Sequence, residues 1–225
     1  MSAGRARADR LPMLPNDPMK TKTTSLPLRI AAALLAACAL GTVAPAAQTA
    51  APSSPAAPAS TAPKEFRMAY RLADGHEKWD AEKKRRVVEA MDAAVELYNR
   101  MGEFDKQVRA SYNPGTPTAD GNYNGSIRFG GQIGKRTALH ELGHVLGVGT
   151  HPKWRSMVVD GKWTGPHALA QLRAFDGPEA VLHADRQHFW PYGLNYDRES
   201  SPENDRRHVL MVAAFRRDLG IVNGQ

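Results

Sequence analysis

Two histidines stand four residues apart with a glutamate directly after the first, in His140-Glu141-Leu142-Gly143-His144. That spacing demands a helix, because at about 3.6 residues per turn residues i and i+4 share a face. In that form both imidazoles reach one metal ion and Glu141 points at the adjacent quadrant. Neutral imidazole nitrogens hold Zn²⁺ with one position left open, the ion brings the pKa of a bound water towards about 7, and a neighbouring carboxylate takes its proton. Leu139, Leu142, Val145 and Leu146 give the helix an apolar side, and Gly147 can end it by turning left-handed. A core helix with a fortuitous His pair is the competing account. It leaves Glu141, set between the two ligands, without a structural reason to be there.

What precedes this segment sets where such chemistry happens. From Met19 the chain reads Lys20, Lys22 and Arg29, then an apolar run from Ile30 to Leu40, then Ala44-Pro45-Ala46, which is the layout of an export signal over 19–46. The run is shorter than the roughly 20 residues a permanent membrane helix needs. Residues 1–18, with Pro12, Pro15 and Pro18, read as an upstream over-extension of the frame. Leu35-Ala36-Ala37-Cys38 resembles a lipobox, so the product is either secreted or held at the cell envelope by a lipid on Cys38. Cys38 is the only cysteine, so the exported domain has no disulfide framework. Residues 47–63, rich in Ala, Pro, Ser and Thr, form a solvated linker.

The stretch 64–225 suits one domain. It carries 24 Lys and Arg against 21 Asp and Glu, so the full-chain charge of +7 is partly a property of the leader. The one dense basic run, Lys83-Lys84-Arg85-Arg86, sits between Glu82 and Glu89 on a helix and reads as a solvated face, which argues against a nucleic-acid partner.

The extended motif, His140 to Gly147, resembles the signature of the metzincin metallopeptidases, in which a glycine turn delivers a third histidine three residues later. Here that position is Thr150, and a histidine follows at His151. A bulge at Gly147 and Gly149 would deliver His151; otherwise the third ligand is distant, with His188 the best candidate. The late segment His188-Phe189-Trp190-Pro191-Tyr192-Gly193-Leu194-Asn195-Tyr196, taken with the motif, is similar to secreted bacterial proteins in which the residue after the Thr need not be His, and this favours His188. Tyr192 to Tyr196 also resembles the metzincin turn below the metal, with Leu194 in place of Met, and assigns Tyr196 to the metal or oxyanion. His167 and His183 are weaker ligands.

The resemblance implies an α+β, single catalytic domain with a small mixed sheet, a metal-binding helix and a C-terminal helix. The local signals agree with that order. Glu65 to Leu72 alternates as a strand; Asp80 caps a helix to Met101; strands follow at Gln107–Tyr112 and Ser126–Phe129. A short helix is expected at His167–Phe175, and a closing one after Ser201-Pro202, ending at Gly220. By analogy Ile127 to Gly130 would lie along the cleft as a free edge and pair with an extended substrate. These readings give a monomeric zinc metalloendopeptidase with Glu141 as base, acting on extended peptides. The alternative is a non-catalytic, zinc-stabilised carbohydrate-binding module using Trp154, Trp163, Trp190 and Tyr192 as stacking platforms.

Overall fold

A computed structural model describes residues 67–223. The leader, Cys38 and the linker lie outside them. The first element, β1 (Ala69–Leu72), runs into helix α1 (Ala81–Met101), which begins where the Asp80 carboxylate accepts the Lys83 amide. One face of α1, carrying Val87, Ala90, Met91, Ala94, Leu97 and Tyr98, is buried. The chain returns as β2 (Gln107–Tyr112), parallel to β1, and continues through β3 (Ala119–Asn122) and β4 (Ser126–Phe129). Strand order is β1-β2-β4-β3, with β4 parallel to β2 and β3 antiparallel to β4.

This order corrects one expectation. Ile127 to Gly130 is not an edge: β4 is flanked on both sides, with Ile127 opposite Ala110 on β2 and Gly121 on β3. The edges are β1 and β3, and β3 falls in the turn-rich stretch where the composition showed no strand. Its Ala119-Asp120-Gly121-Asn122 has none of the β-branched or aromatic residues that announce a strand.

Next comes α2 (Lys135–Val145), the helix of the His pair, with every residue from Leu139 to Val145 buried except the half-buried His140. Beyond it a second small sheet is built from two-residue strands, β5 (Val158–Val159), β6 (Lys162–Trp163), β7 (His183–Ala184) and β8 (Phe189–Trp190), in sequence order and antiparallel. Helix α3 (Pro166–Asp176) lies between β6 and β7, and α4 (Pro202–Leu219) closes the chain with Ser201 as cap and Gly220 left-handed at φ 73°. Trp154, Trp163, Phe189 and Phe215 interlock with ring centroids 4.5–5.2 Å apart, and join the second sheet to α4. Two of the four aromatics considered as sugar platforms, Trp154 and Trp163, are thus core residues. The architecture is α+β. Among the described residues no helix is long and apolar enough to cross a membrane.

Candidate metal centre

His140 and His144 project from one face of α2, and His188, from the β7–β8 turn, meets them there. One ligand atom from each of the three rings lies within 4.8 Å of the others. The ring centroids of His188 are 5.5 Å from those of both helix histidines.

The orientation of each ring is set from outside the cluster. His140 Nδ1 donates to the Gly193 carbonyl and His144 Nδ1 to the Val148 carbonyl, each at 2.8 Å. A carbonyl only accepts, so both Nδ1 atoms carry the proton and both Nε2 atoms carry a lone pair. These two Nε2 atoms face each other at 3.1 Å. Burial and neighbouring histidines push His140 well below its ordinary pKa, and burial brings His144 down to about 4, so no shared proton relieves the contact at neutral pH. Two lone pairs so placed repel unless a cation lies between them. The spacing is close to the roughly 3.3 Å separating two nitrogens on a tetrahedral zinc with bonds of about 2.0–2.1 Å. The donor set therefore fits a divalent ion of this kind.

The third ring stands beside Asp185. Its Oδ1 accepts the backbone amides of Gln187 and His188 at 2.8 and 2.6 Å and lies 3.6 Å from His188 Nδ1. A carboxylate in that place is the kind of partner that orients a ligand histidine. The Asp-x-x-His spacing was the one clue to this partner in the sequence; the Gly193 and Val148 carbonyls left none.

Gly149 explains why His188, and not His151, joins the cluster. It sits at φ 68°, and a Cβ there would come within 2.1 Å of the Gln187 carbonyl oxygen. The turn after α2 is thus pressed backbone to backbone against the residue preceding His188. His151 is carried away from the cluster: its ring packs edge-on against Tyr123 at 5.0 Å, and its Nδ1 accepts the Lys153 amide. Thr150, where the metzincin pattern has its histidine, donates its hydroxyl to the His144 carbonyl. His183 stacks on Trp190, and His167 offers its backbone amide to Asp218; neither joins the cluster.

Glu141 is 5% exposed, and its Oε2 is buried without a partner. Burial, with help from the Asp120 charge, raises its pKa to about 7, opposed by a hydrogen bond from the Gly121 amide on β3 and by Arg136. Glu141 lines a cavity of about 380 Å³ together with Ala119, Asp120 and Gly121 of β3 and all three histidines. A second cavity, about 510 Å³, adjoins it through His140 and His188. Tyr196 lines both and is 57% exposed, with the Arg198 guanidinium over its ring at 4.5 Å. Leu194 is buried in the core at φ 55°.

No family model, no curated protein and no solved structure matches this chain. The chemistry has to be read from these residues.

Proposed function

We propose that the protein is a zinc-dependent metalloendopeptidase of metzincin-like build, exported as its leader suggests, that hydrolyses extended peptides. The observation that carries this reading is the pair of Nε2 lone pairs facing each other at 3.1 Å with His188 beside them and the buried Glu141 carboxylate adjacent. His140, His144 and His188 would hold the ion. Zinc bound there supplies Lewis acidity to the scissile carbonyl and to the attacking water.

Glu141 does the proton work. A carboxyl near pH 7 is matched to accepting a proton from water and returning one to the leaving amine, which is where general acid–base catalysis is most efficient. Its unpaired Oε2 has the free lone pair this requires. Strand β3 is a sheet edge lining the same cavity as Glu141, so an extended peptide can add to the sheet there, with Tyr196 at the cavity wall. The carbohydrate-binding alternative loses support from the burial of Trp154 and Trp163.

Glu141→Gln tests the reading. The amide keeps the shape and cannot take a proton, so zinc content by elemental analysis should stay unchanged while peptide hydrolysis falls by about 10²–10⁴. Full activity in the variant, or wild-type protein that holds no transition metal, would overturn it.

A further inference from the structure

The larger of the two cavities is walled by His140, His188, Asp185, Glu199, Trp190, Tyr196 and Asn195, with no lysine or arginine among its lining residues. We infer that this cavity is a side-chain subsite for a cationic residue of the substrate, an arginine or lysine placed next to the bond that is cut. The inference rests on the hydrolase reading for the words "bond that is cut", and on the cavity itself for the charge preference.

Four features carry it. Asp185 is fixed at the wall, its Oδ1 accepting the Gln187 and His188 amides at 2.8 and 2.6 Å. Glu199 is half-buried and accepts the Asn195 amide through Oε2 at 2.8 Å, so its carboxylate is fixed in position at the wall. Asn195 turns its Nδ2 to the Phe189 carbonyl and leaves Oδ1 buried without a donor. Trp190, 41% exposed, is one of the few large apolar side chains that the described surface leaves bare, and it stands at this cavity; Tyr196 lines it too, with Arg198 over its ring. Carboxylate and amide acceptors beside an exposed indole form the surroundings in which a guanidinium or ammonium is stabilised, by charge-assisted hydrogen bonds and by the ring quadrupole.

The nearby cations stand outside this cavity, Arg198 among them, over the Tyr196 ring. Arg155 and Arg186 border a neighbouring hollow that shares Asp185 and Trp190, and neither forms an ion pair with Asp185. Arg136 is committed to Asp197, Gln132 and the Leu194 carbonyl. A cavity of about 510 Å³ accommodates an arginine side chain with room for water.

The test uses citrulline, which copies the shape of arginine without its charge. The full chain is titrated with N-acetylargininamide and with N-acetylcitrullinamide, followed by the Trp190 indole resonance. The arginine amide should bind about tenfold more tightly at low salt, as charge-assisted contacts exceed neutral ones. The ratio should shrink with added salt and again in Glu199→Gln. Equal binding of the two amides, or a ratio untouched by Glu199→Gln, overturns the proposal whether or not the protein cleaves anything. In parallel, peptides carrying one arginine at successive positions are compared with their citrulline counterparts. A fall of about tenfold in kcat/KM at one position is expected. Cleavage blind to the exchange refutes the subsite and leaves the hydrolase reading standing, whereas no cleavage of any peptide counts against the hydrolase reading alone.

Discussion

Strand β3 meets the helix of the His pair closely at a residue without a side chain, and filling that position is a sensitive test of how the site is assembled. A Cβ on Gly121 would lie 2.3 Å from the Glu141 carbonyl oxygen, 3.0 Å from its carbon and 3.2 Å from its Cα. Ordinary contact needs about 3.5 Å, so Gly121→Ala requires strand and helix to part by roughly 1 Å. Both sides of the clash are backbone, so no rotamer change relieves it. Overpacking of this kind costs about 1–3 kcal/mol, and the upper half of that range applies where nothing flexible can yield. For a domain of this size the urea midpoint should fall by about 1 M. The same displacement pulls the Gly121 amide from the Glu141 carboxylate and moves the edge on which a peptide would lie. Hydrolysis should then drop by as much as about 10²-fold, while zinc content stays the same because the three histidines come from α2 and the β7–β8 turn. A midpoint within about 0.2 M of wild type together with unchanged hydrolysis would refute the packing argument.

Other consequences can be measured separately. His188→Ala should purify with little zinc and His151→Ala with near-normal zinc, and equal retention in both would contradict the placement of these rings. Metal-free protein should show opposed acid effects. His144, at about 4 in the fold, favours the neutral form, so its contribution is present above 6.5 and is lost as pH falls towards 4; Glu141, raised to about 7, contributes stability that grows as pH falls from 7 to 4.5. Removing the second effect with Glu141→Gln should cost the metal-free protein about 2–3 kcal/mol more than wild type between pH 7 and 4.5, read from urea melts at the two values; parallel curves would count against it. Asp218 on α4 accepts the His167 and Ala168 amides and the Trp163 indole N–H. Asp218→Ala strands these donors, at about 2–3 kcal/mol, and should lower Tm by roughly 5–10 °C; an unchanged Tm would exclude this role.

The helices were legible because each carries its own signals. Asp80, Ser201-Pro202 and Gly220 mark ends, and the buried positions of α1 and α4 recur at helical spacing. Even so, the start of α3 hid its cap. Gly165 has no capping side chain, and the orphan amides are satisfied by Asp218, about fifty residues later, which no local pattern reveals. Strand β3 was invisible for a related reason. Its pairing with β4 and its contact with α2 come from small residues that let backbones approach, whereas strand propensity measures side-chain packing. At the site, the helix pair followed from spacing alone. The choice between His151 and His188 depended on a contact of Gly149 with Gln187, which lies outside any local window.

The metal centre joins two parts of the chain that are remote in sequence, and the bonds between them need no ion. His140 reaches the Gly193 carbonyl, and Arg136 reaches the Leu194 carbonyl and Asp197. His208, buried on α4, lies between the Leu139 carbonyl of α2 at 3.1 Å and the Tyr192 carbonyl at 2.8 Å, with Phe189 stacked on its ring. These contacts tie α2 to the loop that follows β8, so the relative position of α2 and the β8–α4 loop is settled by the protein. Tyr192 and Leu194 hold left-handed φ values of 69° and 55°, a conformation costly for residues with side chains, and one that persists only where surroundings impose it. Burial keeps the His140 and His144 imidazoles neutral at physiological pH, so an ion bound there as proposed would displace no proton from either ring and would need little reorganisation, unlike small zinc domains that fold only around their metal.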